Sequence, residues 1–533
     1  MTFTAQNLTK MKHTALLLII AFTAFYCPGQ IPGSLDFSFG NWGKSLTDLD
    51  SRRNSGEVIE IAPDGGLIIC GTNGYANEPN DCLLIKLTSG GEPDISFGNQ
   101  GAVSFDFGGE NSQCFDLEIL TDGRILVAGV CWDGDNQNIG LAKFTAAGQP
   151  DPTFGYGGTL MVNLGKHEYA SSILKLPNNK FLITGPISEP NERDDLFIMR
   201  FLSNGSTDSG FGTNGYTVID LNNNSYDIPR GIAMHNNKYL ICAAAFGQSY
   251  DAIVLTRFNT DGTPDPAFGV NGKSVIDGLN IMDMIVERST QLAIDQQNRI
   301  VVASRFQGIT DTDGMLLRFL SNGYPDNSFG ESGLKIYTIE EDNAFMAVGI
   351  QDDGKILAAG YSWDGNDLNT FLLRALEDGT PDPGFHMGQG YAIHELSAGG
   401  YMHDMANSMV LPSATKVLLA GYADTQNNHA DVAVSKYHLG IVTGINEQLH
   451  SKEISISADP SDSRILLIHG LPHNMTFQAG LYNISGQTVF SQPLQSDQAN
   501  EVRLQLPSAC RPGIYLLSVG NDKFSGFGKI AIL

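Results

Sequence analysis

The sequence predicts an all-β fold, in which a seven-bladed β-propeller is followed by a small β-sandwich. One short motif, Asp-x-x-Phe-Gly, recurs at intervals of 56 to 61 residues. The 60 glycines among 533 residues indicate many tight turns between short strands. Self-similarity at such a period is typical of propellers and other repeat architectures.

The motif has six full copies and one degenerate copy. The full copies begin at Asp36, Asp94, Asp151, Asp208, Asp265 and Asp326. The seventh, degenerate copy begins at Asp382 and has His386 in place of the final glycine. These starts divide residues 36–440 into the units 36–93, 94–150, 151–207, 208–264, 265–325, 326–381 and 382–440. A terminal repeat that departs from the others is common where the array closes or is capped.

Each unit predicts four short antiparallel strands. In the second unit they are 101–107, 115–120, 125–129 and 141–144, and Asp122-Gly123 joins the second to the third. Asp-Gly and Asn-Asn pairs at this place tolerate positive φ, as tight hairpins demand. Four strands in just under sixty residues, by the unit spacing of the sequence, correspond to one propeller blade.

Two sets of positions recur in every unit. The third strand ends in a small residue, which indicates that a neighbouring backbone passes close by. The fourth strand carries a basic residue, at Lys86, Lys143, Arg200, Arg257, Arg318, Arg374 and Lys436. A catalytic residue is not needed seven times, so we interpret these bases and the motif aspartates as structural ion pairs.

The motif, the Asp-Gly turns and the basic residues together resemble the delta-60 repeat family of bacterial exported proteins, over residues 36–440. The resemblance implies a β-propeller, and the family offers no established activity to carry over. The sequence departs from the family at His386 and at three hairpin turns, Asn178-Asn179, Asn236-Asn237 and Gln297-Asn298. Its last unit is the most divergent.

The N-terminal thirty residues predict a signal peptide. Lys10 and Lys12 precede an uncharged apolar run from Thr14 to Cys27. That run is too short to span a bilayer, and no other segment approaches the necessary length, so we expect no transmembrane segment. We expect export through the periplasm to the cell surface or the extracellular space.

Residues 451–533, which follow a linker at 441–450, alternate apolar and polar residues in short runs and predict the β-sandwich. They resemble the C-terminal sorting domain of type IX secretion substrates. The matching residues are Asp459-Pro460, Leu481-Tyr482, Gly486-Gln487, Val489, Pro512-Gly513-Ile514-Tyr515 and Lys529. This resemblance implies an outer-membrane translocon as partner, although Ala458 stands where the family usually has proline. A carbohydrate-binding or Ig-like module is the alternative.

The chain carries a net charge of -26. Residues 31–446 hold 51 acids against 24 bases, so the acidity belongs to the repeat region. An acidic surface excludes nucleic acid and anionic membranes as partners, because both require a basic face. It keeps an exported protein soluble and can attract cations.

One disulfide is predicted from hairpin geometry. If Asp122-Gly123 is a two-residue turn, Cys114 lies directly opposite Cys131 in a non-hydrogen-bonded pair. Cα atoms in such a pair lie about 4.5 Å apart, within reach of a disulfide. Export makes such a bridge permissible.

A candidate ligand site lies in the loop between the third and fourth strands. Trp132-Asp133-Gly134 and Trp363-Asp364-Gly365 occupy the same place in two units, and Tyr75 and Tyr250 occupy this loop in two others. These residues predict an aromatic, acidic rim that could stack a sugar ring or contact a protein. The alternative is that each indole only covers its own hairpin.

Calcium is the one cofactor that the sequence suggests. Asp133-x-Asp135 and Asp311-x-Asp313-Gly314 look like the start of calcium loops, but Phe144 and Asn322 stand where an EF-hand needs a carboxylate. The sequence therefore predicts no cofactor, with a calcium site that does not follow the EF-hand pattern as the alternative. The sequence contains no nucleophile elbow, Walker loop, dinucleotide fingerprint or zincin helix.

Two classes of function remain, beside a third possibility that the propeller is a spacer or matrix component with no small-molecule site. The first is a non-enzymatic binding module whose loop face or central pore takes a glycan, a peptide or another partner. The second is an extracellular polysaccharide-active enzyme, a lyase or glycoside hydrolase, at the channel mouth. An enzyme requires unique charged residues that converge in one place, and the regular units therefore favour the binding module.

Overall fold

The computed structural model describes residues 31–440, apart from 50–51, 75–79, 190–191, 222–224, 248–250, 280–290, 309–310, 398–402 and 426–428, and residues 455–532, apart from 460–461, 470–475, 484–487, 497–500, 507–512 and 522–523. One compact unit is Pro32–Ile441, and a second contains Val442–Leu533. The predicted signal peptide and linker lie outside the described residues. Within the described parts, no helix is long and apolar enough to cross a membrane.

The predicted seven-bladed propeller is confirmed: seven antiparallel sheets form the first unit. Blade 1 consists of β2 (Arg53–Ile61), β3 (Leu67–Gly74), β4 (Asp81–Leu87) and β5 (Ala102–Phe105). Blade 2 consists of β6 (Asn111–Ile119), β7 (Ile125–Trp132), β8 (Gln137–Phe144) and β9 (Thr159–Val162). Blade 3 consists of β10 (His167–Glu168) and β11 (Ser172–Lys175), which share its inner edge, followed by β12 (Phe181–Ser188), β13 (Asp195–Phe201) and β14 (Tyr216–Ile219).

The remaining blades repeat this arrangement. Blade 4 consists of β15 (Tyr226–His235), β16 (Lys238–Phe246), β17 (Asp251–Phe258) and β18 (Lys273–Leu279). Blade 5 consists of β19 (Gln291–Ile294), β20 (Ile300–Gln307), β21 (Thr312–Phe319) and β22 (Leu334–Tyr337). Blade 6 consists of β23 (Asp342–Ile350), β24 (Ile356–Trp363), β25 (Leu368–Ala375) and β26 (Tyr391–His394). Blade 7 consists of β27 (Asp404–Ser413), β28 (Lys416–Thr425), β29 (His429–His438) and β1 (Lys44–Thr47).

The hydrophobic core lies between neighbouring blades. The innermost strands, β2, β6, β11, β15, β19, β23 and β27, contact one another in a closed ring around a central channel. One apolar cluster joins side chains of blades 1 and 2, and another joins blades 5 and 6. Because both faces of each sheet are covered, strands such as Phe181–Ser188 are buried along their whole length.

The sequence units are not the blades, which corrects the unit boundaries predicted above. The first strand of the second unit, β5, pairs with β4 of the first unit. The motif causes this offset, because it turns the chain back along the strand that it has just left. Asp94 N–H, for example, donates to the Lys86 carbonyl at 2.8 Å. Each blade therefore takes its outermost strand from the next unit.

The N-terminal segment closes the ring. β1 pairs with β29 and so becomes the outermost strand of blade 7. Gly33 N–H donates to the His438 carbonyl and Asp36 N–H to the Lys436 carbonyl, each at 2.7 Å. The chain therefore enters and leaves the propeller at the same turn of blade 7, and the first motif copy serves the last blade.

The final glycine of the motif is required by its backbone. Its φ lies between 49° and 54° in all six full copies. A Cβ there would fall 2.0 to 2.4 Å from the carbonyl oxygen of a residue at the start of the next strand. The N–H of the same glycine donates to the turn of the neighbouring blade, at 2.6 Å from Gly40 to Gly90. His386 keeps this bond, to Pro32 at 2.9 Å, and adopts φ 43°.

His386→Gly is expected to stabilise the protein by about 0.5–1 kcal/mol, because a side chain in the left-handed region is strained. Chemical denaturation of the variant and the parent measures this difference. A loss of stability would mean that the His386 side chain contributes more than its backbone strain costs.

The innermost strands bulge where they line the channel. In blade 2 the register shifts between Cys114 and Asp116. Across this bulge, a Cβ on Gly129 would lie 1.9 Å from the Gln113 carbonyl oxygen. Equivalent contacts occur at Gly71, Gly185, Gly360 and Gly421. The small residue that ends each third strand predicted a close approach of a neighbouring backbone. The closest approach is in fact at the glycine that directly follows this small residue.

The C-terminal unit contains two antiparallel sheets, as a β-sandwich does. The first sheet has the order β30 (Ser455–Asp459), β31 (Asp462–His469) and β34 (Glu501–Gln505). The second has the order β33 (Thr488–Gln495), β32 (Thr476–Asn483), β35 (Gly513–Asn521) and β36 (Phe524–Ile532).

Candidate functional site

The structure brings every predicted base to a motif aspartate. The nitrogen–oxygen distances are 3.1 Å for Lys86–Asp94, 3.5 Å for Lys143–Asp151, 2.7 Å for Arg200–Asp208, 2.7 Å for Arg257–Asp265, 2.8 Å for Arg318–Asp326, 2.8 Å for Arg374–Asp382 and 3.9 Å for Lys436–Asp36. Because the same ion pair occurs in all seven blades, it belongs to the repeated scaffold and does not mark a single functional site.

The same bases also join neighbouring blades. Arg200 Nη1 donates to the Thr260 carbonyl at 2.6 Å, and Lys143 Nζ donates to the Ser203 carbonyl at 3.0 Å. In both cases the acceptor lies in a turn of the next blade. The Arg200 guanidinium also lies 4.7 Å from the ring of the buried motif residue Phe211. Arg257, Arg318 and Arg374 do the same, so five of the seven bases link an aspartate, a buried aromatic ring and the adjacent blade.

A second set of bases was missed by the sequence reasoning. Arg124, Lys180, Lys238, Lys355 and Lys416, which stand just after the first hairpin turn of their blades, each reach a motif aspartate within 3.6 Å. The signal was present, because a base follows this turn in most units. Residues at the start of a strand are difficult to align without knowledge of the turn length, and this set was overlooked for that reason.

The geometric argument for a Cys114–Cys131 disulfide was wrong. The turn has three residues, because Leu120 N–H donates to the Arg124 carbonyl at 2.8 Å. The bulge after Cys114 shifts the register again. Cys114 therefore lies opposite Gly129, and Cys131 lies opposite Ser112. Both are free, buried thiols.

We expect the five described cysteines to be unreactive in the native protein. Cys70, Cys82, Cys114, Cys131 and Cys242 are all buried. Burial raises the pKa of the Cys131 thiol to about 12 and raises that of Cys242 further. Titration with a thiol reagent before and after denaturation tests this, and modification of any of the five in the native state would contradict it.

The two Trp-Asp loops have the same conformation. Asp133 Oδ1 accepts hydrogen bonds from the backbone N–H of Asp135 at 3.1 Å and Asn136 at 2.8 Å. Asp364 Oδ1 accepts from Asn366 and Asp367 in the same way, each at 2.9 Å. The backbone N–H groups lower the pKa of both carboxyls. Both aspartates thus cap their own loops.

The structure does not bring the predicted rim residues together. Trp132 and Trp363 are half-buried and lie in blades 2 and 6, with blades 7 and 1 between them. The Trp363 ring lies 5.9 Å from the His403 ring of the adjacent loop. Tyr75 and Tyr250 lie outside the described residues. Each indole therefore belongs to a local site in its own blade.

The calcium segments predicted from the sequence do not converge on a cation site within the described residues. The group of acids that does converge is Asp195, Asp220 and Asp227, whose oxygens lie within 4.8 Å of one another. Asp227 Oδ2 already accepts the Leu221 backbone N–H at 2.6 Å, and Ser225 Oγ donates to Oδ1. These hydrogen bonds account for the position of Asp227 without a cation.

The central channel contains a cavity of about 100 Å³. It is lined by residues of all seven blades at the level of the bulges, among them Glu57, Asp116, Ser172, Arg230, Gln291 and Asn407. Here the seven-fold regularity breaks down, because each blade supplies a different side chain. Ligand pockets commonly measure about 300–1,000 Å³, so the cavity takes no more than a few waters or a small ion.

Acidic side chains of the innermost strands join neighbouring blades. Asp116 Oδ2 accepts hydrogen bonds from Ser172 Oγ at 2.7 Å and from the Ile173 backbone N–H at 2.9 Å. Glu118 pairs with Lys175 at 2.7 Å, and its other oxygen accepts the Lys175 backbone N–H at 3.1 Å. Desolvation raises the pKa of Asp116 to about 6, and desolvation together with the charge of Glu118 raises that of Glu60 to about 7.

Buried polar residues also begin the innermost strands. Glu168 Oε1 accepts the Leu164 backbone N–H at 2.6 Å, and Asp227 accepts that of Leu221 in the next blade. The equivalent residues Asn54, Ser112, Asn343 and Asp404 are also fully buried. Desolvation raises the pKa values of Glu168 and Asp227 to about 7. These carboxyls hold the loops between blades and were not singled out from the sequence.

The protein is expected to be more stable near pH 5 than near pH 8. Glu60, Glu168 and Asp227 retain a proton up to about pH 7 when folded, but lose it near pH 4 when unfolded. Stability from these groups therefore falls as the pH rises from about 4 to 7. Asp36 and Asp151, whose folded pKa values are about 2, act oppositely and lose their contribution below about pH 4.

Melting temperatures at constant ionic strength measure this profile. Glu168→Gln and Asp227→Asn should flatten it between pH 5 and 8, because their amide oxygens can still accept the backbone N–H. Equal slopes in the variants and the parent would contradict the assignment.

The fold and the repeated ion pairs define a seven-bladed β-propeller repeat protein, closed by its own N-terminal strand. The family described as a domain of unknown function (DUF5122) beta-propeller matches residues 120–154, 236–268 and 351–385. Each match runs from the first hairpin turn of a blade to the phenylalanine of a motif. The search among curated proteins gave no match.

Several solved structures are similar to this chain over most of its length. A protein of unknown function from Dyadobacter fermentans is 12% identical, with 75% of this chain and 98% of that chain covered and a TM-score of 0.41. The polysaccharide lyase Uly1 is 9% identical, with 79% and 95% covered and a TM-score of 0.40. Drosophila Semaphorin 2a is 6% identical, with 92% and 98% covered and a TM-score of 0.41. At this level of similarity they carry no information about function.

Proposed function

We propose that this chain is an exported β-propeller that acts as a non-enzymatic binding module at the cell surface or outside the cell. The observation that carries the proposal is that the charged residues that recur in the repeat are used by the scaffold. All seven motif aspartates are paired, as Arg318–Asp326 is at 2.8 Å. Asp116 in the channel wall and Glu118 of the same strand are bonded to the neighbouring blade. The half-buried Trp132 and Trp363, which lie in loops at one rim, take no part in these bonds.

The route of export is part of the proposal. The apolar run from Thr14 to Cys27 supports a signal peptide, and the resemblance of residues 451–533 to sorting domains supports delivery by an outer-membrane translocon. The delta-60 repeat resemblance, which comes from bacterial exported proteins, supports the same route. A glycan or a protein is the ligand proposed for the rims, including the loops of Trp132 and Trp363.

Binding of the full chain to a glycan array and to isolated cell walls tests the proposed function. We expect retention that depends on rim residues and no release of sugar products. The double variant that carries both Trp132→Asn and Trp363→Asn measures how much of the binding depends on the Trp-Asp loops. Hydrolysis or elimination of any polysaccharide on the panel, in the absence of stable binding, would overturn the proposal.

An extracellular polysaccharide-active enzyme is the second candidate. It is favoured by one observation, namely that Asp116 lines a channel of irregular composition and that burial raises its pKa to about 6. In that case Asp116→Asn should abolish activity on the polysaccharide panel. Activity retained in Asp116→Asn would count against this candidate.

A further inference from the structure

The third tryptophan of the chain, Trp42, stands out in the turn that follows the first motif. Its φ is 58°, and its side chain is 65% exposed. Positive φ is rare for a bulky residue and costs free energy that the surrounding structure must offset. Trp42 makes a T-shaped contact with Phe37, which is itself 45% exposed, at a ring centroid distance of 5.8 Å.

The repeat provides an internal comparison for this position. In five other copies of the turn the same place holds Gln100, Gly157, Asn214, Asn271 and Ser332, with φ between 53° and 67°. These small or polar residues suit the left-handed backbone. Neither the turn nor the blade therefore requires an indole at residue 42, and exposure of the ring adds nothing to the core. A role outside folding is the remaining reason for this side chain.

The chain segment that carries Trp42 is uncharged. Ser38 and Asn41 are exposed beside the two rings, and no charged residue occurs from Phe37 to Gly43. The nearest motif acid, Asp36, is buried and paired with Lys416 at 2.6 Å. This composition contrasts with the repeat region as a whole, which carries 51 acids against 24 bases.

Exposed apolar side chains are concentrated on the same face. The large hydrophobic residues that are more than half exposed within the described ranges are Trp42, Ile95, Tyr156, Val270, Tyr324 and Met387. All six lie in the motif turns or the turns just before them, on the face opposite the Trp-Asp loops. Trp42, Ile95 and Tyr156 belong to the successive blades 7, 1 and 2.

We propose that Trp42 and Phe37 form a stacking platform for a neutral polysaccharide, on the face of the propeller opposite the Trp132 and Trp363 loops. The indole offers a flat apolar face to the C–H groups of a pyranose ring, and the exposed Asn41 amide offers neutral hydrogen-bonding groups beside it. The net charge of -26 repels polyanions and a second copy of this chain. A cationic peptide would require exposed acids at the platform, where residues 37–43 have none.

The decisive variant is Trp42→Asn, which installs the residue found at Asn214 and Asn271 and leaves the net charge unchanged. Affinity electrophoresis of the full chain in gels that contain laminarin, xyloglucan or galactomannan measures binding. We expect retardation of the parent by at least one of these neutral polymers. Trp42→Asn should weaken it at least tenfold while the melting temperature stays the same or rises, because strain is relieved. Phe37→Ser should weaken binding by a smaller factor.

Val270→Asn is the matched control, because it removes an exposed apolar side chain from the same face in blade 4, and it should bind as the parent does. Polygalacturonate and an octalysine peptide serve as the anionic and cationic probes. Absence of retardation by every neutral polymer, or equal retardation of the parent and Trp42→Asn, would overturn the proposal. Trp42-dependent binding of octalysine alone would also overturn it, in favour of a cationic partner.

This platform is independent of the function proposed above for the Trp-Asp loops. Binding that is lost in the paired Trp132 and Trp363 variant but kept in Trp42→Asn would refute the platform and leave the binding module standing. The reverse pattern would place the binding site on the motif face.

Discussion

Arg318→Met is expected to destabilise the protein by about 3–5 kcal/mol, the usual cost of removing one partner from a buried ion pair. Arg318 is 3% exposed and pairs with Asp326 at 2.8 Å. Its other guanidinium nitrogens donate to the Glu377 carbonyl of blade 6 and, at 3.0 Å, to Ser328 Oγ. The variant leaves the buried Asp326 without its counter-charge and leaves a carbonyl without a donor. Urea denaturation followed by circular dichroism measures the loss.

Two further variants make this result interpretable. Arg318→Met combined with Asp326→Asn should recover much of the loss, because the amide needs no counter-charge and can still cap the turn at Ser328. Lys166→Met removes an exposed pair with Glu189 and should cost less than about 1 kcal/mol. Equal losses in Arg318→Met and Lys166→Met would show that the motif pairs do not hold the blades together.

Removal of residues 31–47 is expected to abolish cooperative unfolding of the propeller. Without β1, blade 7 has three strands and β29 becomes an exposed edge. Lys416 and Lys436 lose Asp36, and the cluster between blades 7 and 1 loses Phe39. We expect a broad thermal transition and aggregation at a lower temperature.

A chain that begins at Ile31 is the matched control, and it should melt as the full chain does because the propeller begins at Pro32. A synthetic peptide of residues 31–47 should restore a sharp transition to the shortened chain. An unchanged melting curve after removal of residues 31–47 would contradict closure of the ring by β1.

Much of the fold followed from local chemistry. The motif aspartates and the fourth-strand bases were paired correctly as sets, because a repeated structure places equivalent residues in equivalent positions. The turns at Asn178-Asn179 and Asn236-Asn237 have positive φ at both residues, as their sequence predicts. The Cys114–Cys131 pairing failed because one residue more in the turn and one bulge changed the register, and the sequence of a single hairpin does not reveal either.

The candidate sites were harder to predict than the scaffold. Trp132 and Trp363 occur at equivalent places in the repeat, but they are separated by two blades. The carboxylates Asp116 and Glu118 of β6 belong to no sequence motif, and only the closed ring places them beside blade 3. Trp42 was missed because its strain is visible only in the backbone angle that the turn imposes.

The sequence by itself determined that this protein is a propeller of seven repeated units, because turn residues, apolar strands and paired charges are all local properties that recur with a fixed spacing. Only the tertiary structure decided which strand belongs to which blade, how the N-terminal segment closes the ring, and which side chains remain free at its surface. These properties depend on contacts between residues as distant as Asp36 and Lys436, and no local pattern contains them.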